Sequence, residues 1–315
     1  MRARLVVVAT VTGLCLVAQA RAPRVVAAQN APAFTAESAL VVLHVTVRDK
    51  QGHYVGGLAE EAFAISEDGR PQVVSFFTAE DAPVTVGLLV DSSGSMQHNR
   101  DLILAAAATF VERSNPDDEV FGLTFNDDVR PALPPGTQFT SDPQVLRQAL
   151  ADTITTRGRT ALYDAIADGI NYLASGQHER KVLVVVSDGG DNASETTFDR
   201  ILTQVRASNV VVHAVGLVDP AEPDANPKRL RQLAEASGGI AFRPGNANQV
   251  RDALERVALD IRNAYTLGYA PADTAAGDFR RIRAGVRAPN ARGIVVRTRA
   301  GYMSAPGRTG RAHAE

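Results

Sequence analysis

Val84-Thr85-Val86-Gly87-Leu88-Leu89-Val90 is an apolar run that ends in Asp91-Ser92-Ser93-Gly94-Ser95-Met96, a carboxylate followed by hydroxyls and a glycine. Such a run reads as a strand covered on both faces. Leu102, Ile103, Ala106 and Phe110 follow with helical spacing on one face. A buried strand that runs into a helix sets its last side chains at the carboxyl end of a sheet, where open α/β sheets bind ligands. Asp91, Ser93 and Ser95, at i, i+2 and i+4, are hard oxygen donors suited to Mg²⁺, Mn²⁺ or Ca²⁺ rather than to a thiolate-seeking metal. Taken alone, the same residues would also serve as a helix N-cap, a position that Asp and Ser favour.

Downstream of this stretch strands and helices alternate. Val120–Phe125 and Val129–Leu133 read as strands around the turn Asn126-Asp127-Asp128, and Leu162, Ala165, Ile166, Gly169, Ile170 and Leu173 keep helical spacing. Lys181–Ser187 contains a continuous apolar run. A helix through Phe198 and Val205, a strand over Val210–Leu217, a helix through Leu230 and Ala234 and a short strand at Ile240–Phe242 come next. A helical stripe from Val250 to Ile261 closes the series. This alternation predicts an α/β fold, a doubly wound, mostly parallel sheet with helices on both faces, over residues 83–263.

The flanks have a period of two. Val41, Leu43, Val45 and Val47 alternate with Val42, His44, Thr46 and Arg48, which predicts a half-buried strand, and Asp68-Gly69 marks a hairpin. Ile282, Ala284 and Val286 alternate with arginines, as do Ile294, Val296 and Thr298 with Val295, Arg297 and Arg299. Neither flank, 38–82 or 264–304, has enough residues for a core of its own. The two are therefore expected to pair as a small β-sandwich with the α/β domain inserted between its halves. The arginines are expected on its solvated face.

Composition adds exclusions. The 315 residues carry a formal net charge of −2, which calls for neither a nucleic-acid nor an anionic-membrane partner. Arg2 and Arg4 precede the apolar run Leu5–Val17, too short to span a membrane comfortably and followed by the small-residue site Ala18-Gln19-Ala20. Residues 1–28 therefore read as a signal peptide, cut after about residue 20 or 28, and the mature chain is expected to be exported: periplasmic, cell-surface or secreted. Cys15 lies in that leader; a lipoprotein reading would acylate it, but Leu14 stands where a small residue is expected. Residues 29–37 read as a linker and 305–315 as a disordered tail.

Two further loops carry oxygen donors at the same end of the sheet: Thr160, before the helix that starts near Leu162, and Asp188, in Ser187-Asp188-Gly189-Gly190-Asp191-Asn192. Each has a plainer reading, Thr160 as an N-cap and Asp188 as the maker of a glycine-rich turn, and for Asp191 a hydrogen bond behind the site and plain solvation are equally open. Asp91-x-Ser93-x-Ser95, Thr160 and Asp188, in this order, resemble the metal-ion-dependent adhesion site of von Willebrand factor A (vWA) domains. With Val45–Asp49, Glu67-Asp68-Gly69, Tyr265–Tyr269 and Gly301-Tyr302, nearly the whole mature chain is similar to the bacterial VWFA-related (Acidobacteria-type) family. The resemblance implies that Ser93 and Ser95 ligate a divalent cation directly, most readily Mg²⁺, with Mn²⁺ or Ca²⁺ compatible. It implies that Asp91 and Asp188 supply charge, that Thr160 joins or leaves the shell, and that a partner protein offers an Asp or Glu carboxylate to the open position.

Enzyme chemistry has little support. The histidines are scattered without an HExxH cluster, no Gly-x-Ser-x-Gly elbow or P-loop occurs, and Lys181 lies at the strand end opposite Asp188. The expectation is a non-catalytic adhesion or docking protein. A scaffold subunit with a structural metal is the alternative, and a metal-dependent hydrolase is less favoured.

Overall fold

The computed structural model describes residues 40–79, 81–217, 223–271, 277–287 and 293–304; the expected leader, linker and tail lie outside the described residues. In chain order, strands β1 (Val41–Arg48), β2 (Phe63–Glu67), β3 (Arg70–Gln72) and β4 (Phe76–Thr78) come first. The alternating part follows: β5 (Val84–Asp91), α1 (Arg100–Glu112), β6 (Glu119–Phe125), β7 (Val129–Pro131), α2 (Pro143–Thr153), α3 (Leu162–Leu173), β8 (Arg180–Ser187), α4 (Phe198–Ala207), β9 (Val211–Gly216), α5 (Pro227–Ser237), β10 (Ala241–Phe242) and α6 (Ala247–Arg262). The chain ends with β11 (Ala264–Tyr269), β12 (Phe279–Val286), β13 (Val295–Arg297) and β14 (Gly301–Met303).

The central sheet has the order β10-β9-β8-β5-β6-β7 and is parallel except for the β6–β7 hairpin. All eight residues of β5 are buried, as its unbroken apolar run requires of a strand with helices on both sides. From β5 the chain moves to β6 on one side and later returns to β8 on the other. The strand order therefore reverses between β5 and β8, and ligands of such sheets bind beyond the carboxyl ends at that reversal.

Two antiparallel four-stranded sheets, β13-β1-β11-β4 and β14-β12-β2-β3, are each built from both ends of the chain. β1 pairs with β11 from Val41↔Tyr269 to Thr46↔Ala264, and β2 pairs with β12 from Phe63↔Val286 to Glu67↔Ile282. Their inner faces share one core, in which Leu43, Val45, Phe63, Tyr265 and Ile282 are buried. In that core Glu67 Oε2 accepts from Tyr269 OH (2.6 Å) and Tyr302 OH (3.0 Å), joining the two sheets through one carboxylate.

Four expectations need correction. β1 is buried on both faces: Leu43 and Val45 face the sandwich core, while Val42 and Thr46 on the opposite face are also buried, Thr46 beside Val182 and His213 of the α/β layer. The arginine spacing of the last strands does not mark one solvated face either. Arg281 and Arg283 are exposed, but Arg299 is buried with Nη1 donating to Ser208 O (2.7 Å), and Arg297 donates to Gly238 O and Asp260 Oδ2. Asp260 on α6 also accepts from Arg48 Nη2 (3.2 Å) and Tyr54 OH (3.1 Å), so one buried carboxylate joins three segments of the flanking sheet to the α/β layer. Finally, α2 has no counterpart in the sequence reading. It is started by Asp142, whose Oδ1 accepts from Gln144 N (2.8 Å), with Pro143 in the first turn where its missing N–H costs nothing. In α1 the face also runs differently: Ile103, Ala107, Phe110 and Val111 are buried, whereas Leu102 is half-buried.

Candidate metal centre

Asp91 is the last residue of β5, and Asp188 follows the last residue of β8, so the sheet reversal brings the two carboxylates together. Ser187 bridges the loops: its hydroxyl donates to Asp91 Oδ2 (2.6 Å) and accepts from Gly189 N (3.0 Å). Gly190 N donates to Asp188 Oδ1 (2.8 Å). Gly189 has φ +84°, and a Cβ there would lie 2.5 Å from Asn226 O, so glycine alone fits this turn.

The first loop turns back on itself, with Ser93 N donating to Asp91 Oδ1 (2.9 Å) and the Ser93 and Ser95 hydroxyls 3.2 Å apart. A 3-10 segment, Gly94–Asn99, separates it from α1. Neither Ser93 at the start of that segment nor Asn99 at the start of α1 makes a side-chain cap, so the helix-cap reading of this motif finds no bond to support it.

Thr160 lies on the second loop, which touches both others. Gly94 N donates to Gly158 O (3.2 Å) and Arg157 N to Ser92 O (3.0 Å). Thr160 N donates to Asn192 Oδ1 (2.9 Å), and Thr160 O accepts from Asn192 N and Ala193 N, both at 3.0 Å. Thr160 is not the cap of α3: the cap position is Ala161, and the first amides of the helix are met from the third loop instead. Tyr163 N donates to Asp191 Oδ1 (3.1 Å) and to Ser194 Oγ (3.1 Å), which settles the role of Asp191 as a helix anchor. Sequence reasoning missed Asn192 and Ser194; their spacing after Asp188 was visible, but their partners are not local.

Asp91, Ser93, Thr160 and Asp188 are buried and Ser95 is half-buried. Burial, with the charge of Asp188 as a smaller contributor, pushes the Asp91 carboxyl up to about 6 against the hydrogen bonds from Ser187 and Ser93. Among the described residues neither Asp91 nor Asp188 has a cationic side chain beside it, and Thr160 Oγ1 has no hydrogen-bond partner. The donors are all oxygens, two carboxylates and three hydroxyls, a set suited to a hard divalent cation. No three His, Cys, Asp or Glu side chains among the described residues form a metal cluster by themselves, so an ion here would depend on the hydroxyls.

Comparison with known proteins agrees with this architecture. A family model, the von Willebrand factor type A domain, matches residues 86–256, more than half of the chain. No curated protein matches. Among solved structures the chain is similar to a von Willebrand factor type A protein from Catenulispora acidiphila, at 14% identity and a TM-score of 0.50, covering 88% of this chain and 76% of that one. It is also similar to an aerotolerance-related membrane protein from Bacteroides fragilis NCTC 9343 (18% identity, TM-score 0.45, 56% of this chain and 98% of that one). A third is proximal thread matrix protein 1 from the mussel byssus with a zinc-occupied MIDAS motif (16% identity, TM-score 0.48, 62% and 49%). Domains of this type are commonly protein-interaction modules, typically non-enzymatic, and often bind a divalent cation. By its matched residues and its sheet, this chain belongs to the von Willebrand factor type A domain family.

Proposed function

We propose that this chain is an exported, non-catalytic protein that binds a protein partner through a divalent cation held by Asp91, Ser93, Ser95, Thr160 and Asp188. One observation carries the reading: three loops converge at the sheet reversal and bring two buried carboxylates beside hydroxyls, with no ion pair to a protein cation among the described residues. In this reading Ser93 and Ser95 ligate directly, Asp91 and Asp188 supply the negative charge, and Thr160 joins or leaves with conformation. A bound divalent ion supplies Lewis acidity toward a carboxylate of the partner's Asp or Glu. Mg²⁺ is favoured, and Mn²⁺ and Ca²⁺ accept the same donors. Export rests on the charged and apolar pattern of residues 1–28, and the flanking motifs support the bacterial VWFA-related family. No helix among the described residues is long and apolar enough to cross a membrane.

Calorimetric titration of Mg²⁺ and Mn²⁺ into EDTA-treated protein, beside Asp91→Ala, tests the site. Binding by the wild type and not by the variant is expected, together with loss of a captured partner in EDTA while the circular dichroism spectrum is kept. No binding by either protein would remove the metal reading, and unfolding in EDTA would make the ion structural.

A further inference from the structure

Four of the five proposed ligands stand at the ends of strands that the sheet holds: Asp91 ends β5, Ser93 and Ser95 lie in the turn and 3-10 segment that follow it, and Asp188 follows β8. Thr160 is different. It sits on the irregular segment between α2 and α3, which includes Thr156 at φ +50° and Gly158 at φ +88°. A segment of this kind keeps its shape only where other groups hold its backbone.

The β6–β7 turn holds it. Asn126 O accepts from Ala161 N (2.7 Å), and Asn126 Nδ2 donates to Arg157 O and to Thr155 Oγ1, both at 3.2 Å. Asp127 takes the next residue from two sides: Oδ2 accepts from Arg159 N (3.1 Å) and Oδ1 from Arg159 Nε (2.9 Å). The carboxylate lies so close to the chain that a Cβ on Gly158 would meet Asp127 Oδ2 at 2.2 Å. These bonds reach both sides of Thr160, at residues 159 and 161. The Arg159 guanidinium and amide hold the Asp127 carboxyl below the usual carboxylate range, so it stays an ionised acceptor. Its neighbour Asp128 ion-pairs with the exposed Arg130 alone among the described residues.

We infer that the Asn126-Asp127 turn is a latch that positions Thr160, and that Asp127 is a positioning residue setting the affinity of this centre for divalent metal. The inference rests on the metal reading above and adds a residue outside the ligand set. Groups that orient metal ligands typically change affinity by about 10- to 100-fold when removed. Asp127 is exposed, so its loss leaves the fold intact.

The test measures Mn²⁺ affinity by calorimetry and amide hydrogen exchange at Arg159 and Ala161, in the full mature chain. Asp127→Ala is expected to weaken Mn²⁺ binding by about 10- to 100-fold and to speed exchange at both amides. Asp127→Asn keeps an acceptor for the Arg159 amide and is expected to restore most of the loss. Gly158→Ala is expected to match Asp127→Ala, because the new methyl displaces the carboxylate. Asp128→Ala removes the same charge from the same turn and is expected to leave affinity within about two-fold. Equal weakening by Asp128→Ala and Asp127→Ala would overturn the latch in favour of bulk charge, and so would unchanged exchange in Asp127→Ala. Failure of the wild type to bind Mn²⁺ would overturn the metal reading itself, and the exchange rates would then decide the latch alone.

Discussion

His213 gives the seam between the α/β layer and the flanking sheet a defined response to acid. It lies on β9, is 1% exposed, accepts from Ile240 N at Nδ1 (3.2 Å) and places Nε2 3.9 Å from Asp260 Oδ2. Burial lowers its pKa to about 4; Asp260 works against that shift and Arg297 with it. In the unfolded chain the imidazole titrates near its ordinary value of about 6.5. Below that pH the unfolded state takes up a proton that the folded state refuses until about pH 4, so stability falls as pH falls through this window. Between pH 7 and pH 4.5 the cost from His213 is about 2.5 kcal/mol. His44, half-buried and lowered to about 3 chiefly by burial, adds a contribution of the same sign that is common to both proteins compared below. Urea unfolding at pH 7 and 4.5, for the wild type and His213→Asn, measures the effect; the asparagine Oδ1 can still accept from Ile240 N. The carboxylates titrate in both proteins and cancel in the difference. The variant should lose about 2.5 kcal/mol less than the wild type over this interval. Parallel loss in the two proteins, within about 0.5 kcal/mol, would refute a neutral buried His213.

Further predictions concern the joints of the fold. Glu67→Ala removes the shared acceptor of Tyr269 and Tyr302, and should cost about 3 kcal/mol, read as a lower urea midpoint; Tyr302→Phe should cost about half as much. Asp260→Ala leaves Arg48 and Arg297 facing a seam without their carboxylate and should cost about 3–5 kcal/mol. In a double-mutant cycle with Arg297→Met the losses should be clearly non-additive. Gly189→Ala forces a methyl toward Asn226 O at positive φ; it should lower the melting temperature, and weaken Mn²⁺ binding through the Asp188 turn.

Much of the fold is legible in the sequence because its signals are local. The all-apolar β5, the helical stripes of α3 and α6 and the alternation of β2 each report the faces that an element buries, and three strand- or helix-adjacent loops announce their oxygen donors. The weaker signals fail for identifiable reasons. α2 buries only Leu146, Ala149 and Leu150 and leaves Val145 exposed, so its apolar stripe is thin and blurred, and its start rests on the single pair Asp142-Pro143.

What the sequence by itself determined is the strands and helices with strong local patterns, α2 excepted, and which loops at the sheet's end carry carboxylates and hydroxyls. The tertiary structure alone decided what covers each face. A period of two is the same whether the second face meets water or another layer, so Thr46 and Arg299 became buried and the Asp260 seam stayed hidden. It also decided which loop serves which: Asp191 anchors a helix that begins nearly thirty residues earlier, and Asp127 holds the loop that carries Thr160. Periodicity records whether a face is covered, whereas the identity of the cover depends on contacts between segments far apart in the chain, which local spacing does not encode.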